Sequence, residues 1–260
     1  MNIDLQGKVI LVTGAGGGMG RGIAEASAEA GATVVAGDLD VATVAETVEI
    51  LVGRGQVGLP LQLDVTREAS IIEAVRKTVA QYGRLDGLVN NAGVVRLGSA
   101  LDASAADRDV QHAVNVEGLY LCCQVAARRM IEQKTGGAIV NIASEAGKVG
   151  YPNSAFYNAT KAAVISLTRT MAQEWSASGI NVNSVCPGGV NTPMLVAVAE
   201  HRAALEGRAP DTLFNEMTPG LMDRHIEAIE VGRVVAFLLS EYALIIRGQS
   251  INVDGNATPY

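Results

Sequence analysis

The sequence predicts an α/β protein built on one doubly wound parallel sheet flanked by helices. Three observations lead there. Short apolar, β-branched runs alternate with stretches of helical length along the whole chain. The 48% hydrophobic content rests on Ala, Val, Leu and Ile, with only 4% aromatic residues, which is the composition of a sheet buried on both faces. No linker, repeat or low-complexity segment interrupts residues 1–260, so one domain is expected.

The elements follow in order. The apolar runs are KVILVT (8–13), ATVVAGD (32–38), VGLPLQLDV (57–65), LDGLVNNAG (85–93), GAIVNIAS (137–144), INVNSVCP (180–187) and QSINVDG (249–255). Helical patterns lie between them. In MGRGIAEASAEAG (19–31), Ile23, Ala26, Ser27 and Ala30 share one face, as a 3.6-residue period requires. The longest helices are expected over about 104–133 and about 155–177. Repeated strand–helix units with right-handed crossovers leave a doubly wound sheet as the leading topology. From about Val190 to Glu227 the rhythm breaks, with Pro193, Gly207, Pro210, Pro219 and Gly220 between short helical patterns. An insertion of that length predicts a lid or recognition loop.

Several functional classes are excluded. A net charge of −7 without a basic stripe argues against nucleic acid. Residues 175–199 are uncharged, but Gly179, Pro187, Gly188, Gly189 and Pro193 would break a membrane-crossing helix there. Cys122, Cys123 and Cys186 show no paired spacing, which fits reduced thiols and a cytoplasmic setting. His112, His201 and His225 lack ligand spacing, so no metal is expected.

VTGAGGGMGRGIA follows the first strand and opens the first helix. Gly14, Gly18 and Gly20 give the form TGxxxGxG, with Gly16 and Gly17 expected to add slack. Glycine tolerates positive φ and lets a diphosphate approach the backbone, while the helix start near Met19 presents free N–H groups and a positive dipole end. Asp38 ends the second strand, where a carboxylate accepts hydrogen bonds from ribose hydroxyls and repels a 2′-phosphate. Neither Leu39 nor the 14–20 loop carries a compensating cation, so NAD is favoured over NADP.

Tyr157 and Lys161, four apart in AFYNATKAAV, fall on one helical face. A phenol is a poor base at neutral pH, and a nearby ammonium is expected to lower its pKa. Ser144 stands thirteen residues before the tyrosine. With TGxxxGxG (13–20), NNAG (90–93), Asn115, Ser144, YNATK (157–161) and PGGVNT (187–192) in this order, the chain resembles the short-chain dehydrogenase/reductase family over Gly7 to about Gly255.

That resemblance implies a single-domain Rossmann fold with a seven-stranded parallel sheet, assembled as a homotetramer. It implies hydride transfer between a small-molecule secondary alcohol and its ketone. Tyr157 would be the acid–base group, Ser144 would hold the substrate oxygen beside it, and Lys161 would hold the nicotinamide ribose. Asn115 would anchor a water in a proton relay. Further cofactor contacts are implied at Asp64 and Val65 (adenine), Asn91 and Gly93 (adenosine ribose), and Pro187, Val190 and Thr192 (nicotinamide side). Two departures, Asn256 in VDGN and the segment SVCPG around Cys186, are expected to lie away from the chemistry. The polar residues Glu145, Tyr151 and Asn153 border Ser144 and hint at a hydroxylated substrate such as a polyol or sugar. A 3-oxoacyl-thioester reductase and a non-catalytic dinucleotide sensor are the alternatives.

Overall fold

In a computed structural model describing residues 3–258, seven strands lie side by side and parallel. They are β1 (Val9–Thr13), β2 (Thr33–Asp38), β3 (Gly58–Gln62), β4 (Gly87–Asn90), β5 (Gly137–Ile142), β6 (Ile180–Pro187) and β7 (Ser250–Val253). Their order is β3-β2-β1-β4-β5-β6-β7, the doubly wound arrangement the sequence predicts. The order reverses between β1 and β4, and ligands of such sheets bind beyond the strand C-termini at that switch point.

The strands are fixed by burial on both faces. All five side chains of β1 are buried, and their period-2 alternation sorts them between two cores. Leu11, Leu88, Ile139 and Val182 pack beneath α3 (Glu68–Tyr82), α5 (Leu119–Gln133) and α6 (Ala155–Glu174). Ile10, Val12, Val34, Val89 and Val140 pack beneath α1 (Gly18–Glu29), α2 (Val41–Gly53) and α9 (Ala228–Leu239). In α1 the expected face holds for Ile23, Ala26 and Ser27, all buried, whereas Ala30 is the half-buried C-cap.

Three expectations are refined. The long helix expected over 104–133 is α4 (Ala105–His112) and α5 joined by a π-helical segment, Ala113–Gly118. β3 stops at Gln62, so Asp64 and Val65 sit on the turn beyond it. The 190–227 interval forms α7 (Pro193–Glu206) and α8 (Pro210–Glu216), with a small core of Ala199, Ala203 and Leu213. A single parallel bridge, Val190 to Ile226, joins its two ends. Among the described residues no helix is long and apolar enough to cross a membrane.

α1 carries the glycine loop and is held in place by α9, which it meets through glycines. A Cβ on Gly232 would stand 2.4 Å from the Gly22 carbonyl oxygen, and one on Gly22 2.5 Å from the Ala228 carbonyl carbon. Gly232→Ala should therefore lower the unfolding free energy by about 1–3 kcal/mol in urea titration. Gly53→Ala, on α2 with nothing within 4 Å of its Cβ position, should be neutral or stabilising. Equal midpoints for the two variants would contradict this account of the α1–α9 contact.

Candidate active site

The nucleotide side is built on the β1–α1 turn. Thr13 Oγ1 accepts N–H bonds from Asn91 (3.1 Å) and Ala92 (3.0 Å). Asn91 Nδ2 donates to the Thr13 and Gly14 carbonyls at 3.0 and 2.9 Å. These bonds tie the loop to the end of β4. A Cβ on Gly20 would lie 1.9 Å from the Gly14 oxygen, so only glycine fits. Gly16, expected to add slack, is also required: its Cβ would meet Thr43 Oγ1 at 2.2 Å and Asp38 Oδ2 at 2.9 Å. Gly17 does face open space. No side chain caps α1, and its first turn holds no acidic residue, leaving its N–H groups and dipole available to a diphosphate. The loop fits a dinucleotide.

Asp38 has a local duty in the structure. Its Oδ2 accepts the Gly16 N–H at 2.9 Å and its Oδ1 the Asp40 N–H at 3.3 Å. Carboxylate oxygens have lone pairs to spare, so ribose hydroxyls can still be accepted beside exposed Leu39. A cation does stand just behind the loop: Arg21 donates to Gly16 O (2.8 Å) and Thr47 Oγ1 (3.0 Å) and pairs with Glu46 at 3.2 Å. Asp64 Oδ1 accepts from Thr66 N and Oγ1 at 2.9 and 2.6 Å, shaping the turn that carries Val65. Half-buried Met19 packs against the α1–α2–α9 core. Pro187 ends β6 in register with Val253, and Val190 is buried just beyond. Thr192 caps α7 by accepting the Leu195 N–H at 3.3 Å, and its side chain lies 3.6 Å from where a Gly18 Cβ would stand. The β1–α1 turn and the start of α7 thus meet at Gly18.

The second cluster sits at the C-terminal ends of β4 and β5. Ser144 Oγ accepts the Ala146 N–H at 3.1 Å, capping the 3-10 turn Glu145–Gly147. Tyr157 and Lys161 lie one turn apart on α6, with Nζ 5.7 Å from the phenol ring centroid. The ammonium is buried and donates to the Ile142 carbonyl at 2.9 Å. Asn115, in the π-helical segment, accepts from Val94 N and donates to Val94 O, both at 2.8 Å. It also donates to Thr160 Oγ1 at 3.1 Å, and Thr160 donates to the Tyr157 carbonyl at 2.8 Å. A Cβ on Gly93 would lie 3.4 Å from Asn115 Oδ1 and 3.6 Å from Lys161 Nζ. Asn115, Ser144, Tyr157 and Lys161 therefore belong to one neighbourhood.

Its electrostatics differ from the sequence expectation. Burial pulls Lys161 down to about 8, partly opposed by the Cys186 thiolate it would face. Tyr157 is raised, not lowered: burial acts most, the Ser144 hydrogen bond opposes it, and the Glu145 charge adds to it. Helical spacing gave the proximity of the amine but not the desolvation, which here dominates the tyrosine.

The two departures also lie closer than expected. The Cys186 thiol is pushed up to about 11 by burial, against the pull of Lys148, the Ser144 backbone N–H and Lys161, so it borders the cluster. Gly188 is pressed between Asp254 and Glu145, its Cβ position 3.0 Å from Asp254 Cα and from Glu145 Oε2. The VDGN turn reaches the same place. Thr13, Thr160 and Arg21 carry no role in the sequence reading; the two threonines stand inside the quoted motifs, where a hydroxyl is the one signal that marks them. Of the histidines, His225 stacks on Phe214 with centroids 4.2 Å apart and lies in the insertion's small core, and His112 sits 3.4 Å from Glu117. No three potential metal ligands gather among the described residues.

A doubly wound sheet with a dinucleotide loop at its switch point and a Ser–Tyr–Lys cluster beside it defines a nucleotide-dependent oxidoreductase. The chain belongs to the short-chain dehydrogenase/reductase family, whose members use nicotinamide dinucleotides: a family model described as Enoyl-(Acyl carrier protein) reductase matches residues 14–258. It is 37% identical to 2-(S)-hydroxypropyl-CoM dehydrogenase 3 of Xanthobacter autotrophicus over 267 aligned positions, covering 99% of each chain. It is 37% identical to 3-oxoacyl-[acyl-carrier-protein] reductase FabG of Thermotoga maritima, covering 96% of this chain and 98% of that one. The crystal structure of a short-chain type dehydrogenase/reductase from Mycobacterium marinum superposes with a TM-score of 0.89 at 31% identity, covering 99% and 98% of the two chains.

The depressed Lys161 has a thermodynamic consequence. Between about pH 8 and the ordinary value of 10.5, the unfolded chain holds a proton at this site that the folded chain has released. Stability therefore rises with pH across that window as the cost of burying the ammonium is relieved. Relative to Lys161→Met, the wild type should gain on the order of 3 kcal/mol across it, read from urea midpoints at a series of pH values. A pH-independent difference would contradict the burial of a charged lysine.

Proposed function

We propose that the protein transfers hydride between NAD and a small secondary alcohol or its ketone, a polyol or sugar being the favoured class. One observation carries this reading: Ser144, Tyr157 and Lys161 converge within one turn of α6, beside Gly93 and Asn115 at the switch-point edge of the glycine loop. The nicotinamide, when bound, accepts or returns the hydride.

The chain's own residues do the rest. Tyr157 takes the substrate hydroxyl proton at Oη in oxidation and returns it in reduction. Ser144 Oγ accepts the Ala146 N–H, and its hydroxyl proton, turned towards the phenol in the free protein, holds the substrate oxygen there when substrate is bound. Lys161 holds the nicotinamide ribose and supplies positive charge near Tyr157. Asn115 anchors a water that connects Lys161 to solvent. Gly14, Gly18, Met19 and Gly20 bind the diphosphate; Asp38 and Leu39 border the adenosine ribose, with Asn91 and Gly93 alongside; Asp64 and Val65 flank adenine; Pro187, Val190 and Thr192 seat the nicotinamide side.

NAD is favoured because Asp38 would face a 2′-phosphate while Arg21 is already engaged by Gly16, Thr47 and Glu46. The α7–α8 insertion has its own small core and a single bridge at its root, which suits a cover over the substrate. A homotetramer in a cytoplasmic setting completes the reading, the latter supported by three free, buried cysteines. A second reading, reduction of 3-oxoacyl thioesters, is favoured by the similarity to the Thermotoga FabG protein.

An absorbance screen with NAD and NADP against polyols, cyclic alcohols, hydroxy esters and 3-oxoacyl thioesters separates the two. The expected result is NAD-linked oxidation of a hydroxylated alcohol. Tyr157→Phe should lower kcat by about 10²–10⁴-fold while NAD affinity is retained. Near-normal turnover by that variant would remove Tyr157 from the chemistry, and a strong NADP preference would overturn the role given to Asp38.

A further inference from the structure

The segment 145–154 runs from the residue after Ser144 to the start of α6, and so sets how Ser144 and Tyr157 stand relative to one another. Three contacts close it. At its near end Gly147 packs on α6, where a Cβ would lie 2.7 Å from the Lys161 carbonyl carbon. At its far end Asn158 Nδ2, on α6 beside Tyr157, donates to the Tyr151 carbonyl at 3.0 Å. Between them the Tyr151 hydroxyl donates to Glu145 Oε1 at 2.8 Å. The path from Ser144 through Glu145 and Tyr151 to Asn158 is thus continuous.

The other carboxyl oxygen is unusual. Glu145 Oε2 is buried and has no hydrogen-bond partner among the described residues, pressed towards Gly188 and Asp254. An acceptor left bare away from water is costly, and a carboxyl relieves that cost by keeping its proton.

We propose that Glu145 is a positioning residue of the reaction, bracing the Ser144–Tyr157 segment through Tyr151 and placing an ionisable carboxyl next to Ser144 on the segment that carries the phenol. The proposal rests on the role given to Tyr157 above. Burial raises the Glu145 carboxyl most, Tyr151 opposes this and the Asp254 charge adds to it; Glu145, when ionised, in turn raises Tyr157. Among the described residues neither neighbouring lysine forms an ion pair with Glu145. Lys148 donates to Ser250 O and Asn252 Oδ1, and Lys161 to Ile142 O. The Cys186 thiol, pushed up to about 11, stays neutral at working pH. Loss of the Glu145 proton therefore sets a negative charge beside Tyr157 and makes its phenolate harder to form. The two ionisations oppose each other.

The test uses E145Q, which keeps the shape and an acceptor but cannot ionise, and Y151F, which keeps the ring but loses the brace. Two readouts are taken: the pH profile of kcat for alcohol oxidation, and phenolate absorbance of substrate-free protein with and without an added Y157F change. In E145Q the acid limb of the kcat profile and the Tyr157 titration should both move to lower pH, by roughly one unit. In Y151F kcat should fall roughly tenfold with NAD affinity unchanged. A Tyr157 titration that stays in place in E145Q, or a full kcat in Y151F, overturns the proposal. If no alcohol is turned over by the wild type, the proposed reaction fails, while the substrate-free titration still decides whether Glu145 governs Tyr157.

Discussion

The buried ammonium of Lys161 is the constraint on which the site depends. Placed beneath Tyr157 and held by the Ile142 carbonyl, it brings a charge into a region where charge is costly. That cost shows in its own depressed pKa. The same desolvation raises Tyr157, so the protein alone keeps the phenol protonated. On the proposed function, an oxidised, cationic nicotinamide would add to the Ser144 hydrogen bond in bringing its proton affinity down.

The fold supplies this pair with rigid support from three elements. β5 ends at Ile142, whose carbonyl takes the ammonium, and leads directly to Ser144. The π-helical segment turns Asn115 inwards, where it bridges Val94 and Thr160. The β1–α1 turn is locked to the end of β4 by Thr13 and Asn91. These bonds join residues far apart in sequence, so the nucleotide loop and the phenol are held in register by the sheet rather than by local chain stiffness.

Much of this was legible in the chain. The central strands, buried on both faces, read as continuous apolar runs, whereas the half-buried edge strands β3 and β7 were visible from the strand–helix alternation. Their ends were not, because apolar residues continue into turns: the run 57–65 leaves the sheet at Gln62. The π-helical segment was invisible, since one added residue per turn leaves no mark in an amphipathic pattern. Tyr157, Lys161 and Ser144 were identifiable by spacing, yet the direction of the tyrosine shift was not, because spacing records proximity and says nothing of solvent. Glu145 and Tyr151 read as polar residues of a loop beside Ser144 that hint at a hydroxylated substrate; their pairing depends on how the loop folds back over α6 and against Gly188. Gly16 read as slack in the loop, and only the packing shows that Thr43 and Asp38 fill the place of its side chain.

On the proposed mechanism, a phenol made reluctant by burial becomes a base when positive charge arrives beside it. The most direct measurement is the ultraviolet titration of Tyr157, obtained as the difference between wild type and Y157F, with and without saturating oxidised NAD. The apparent pKa of the phenol should fall when the oxidised cofactor binds. A value unchanged or raised by it would contradict the account at its centre.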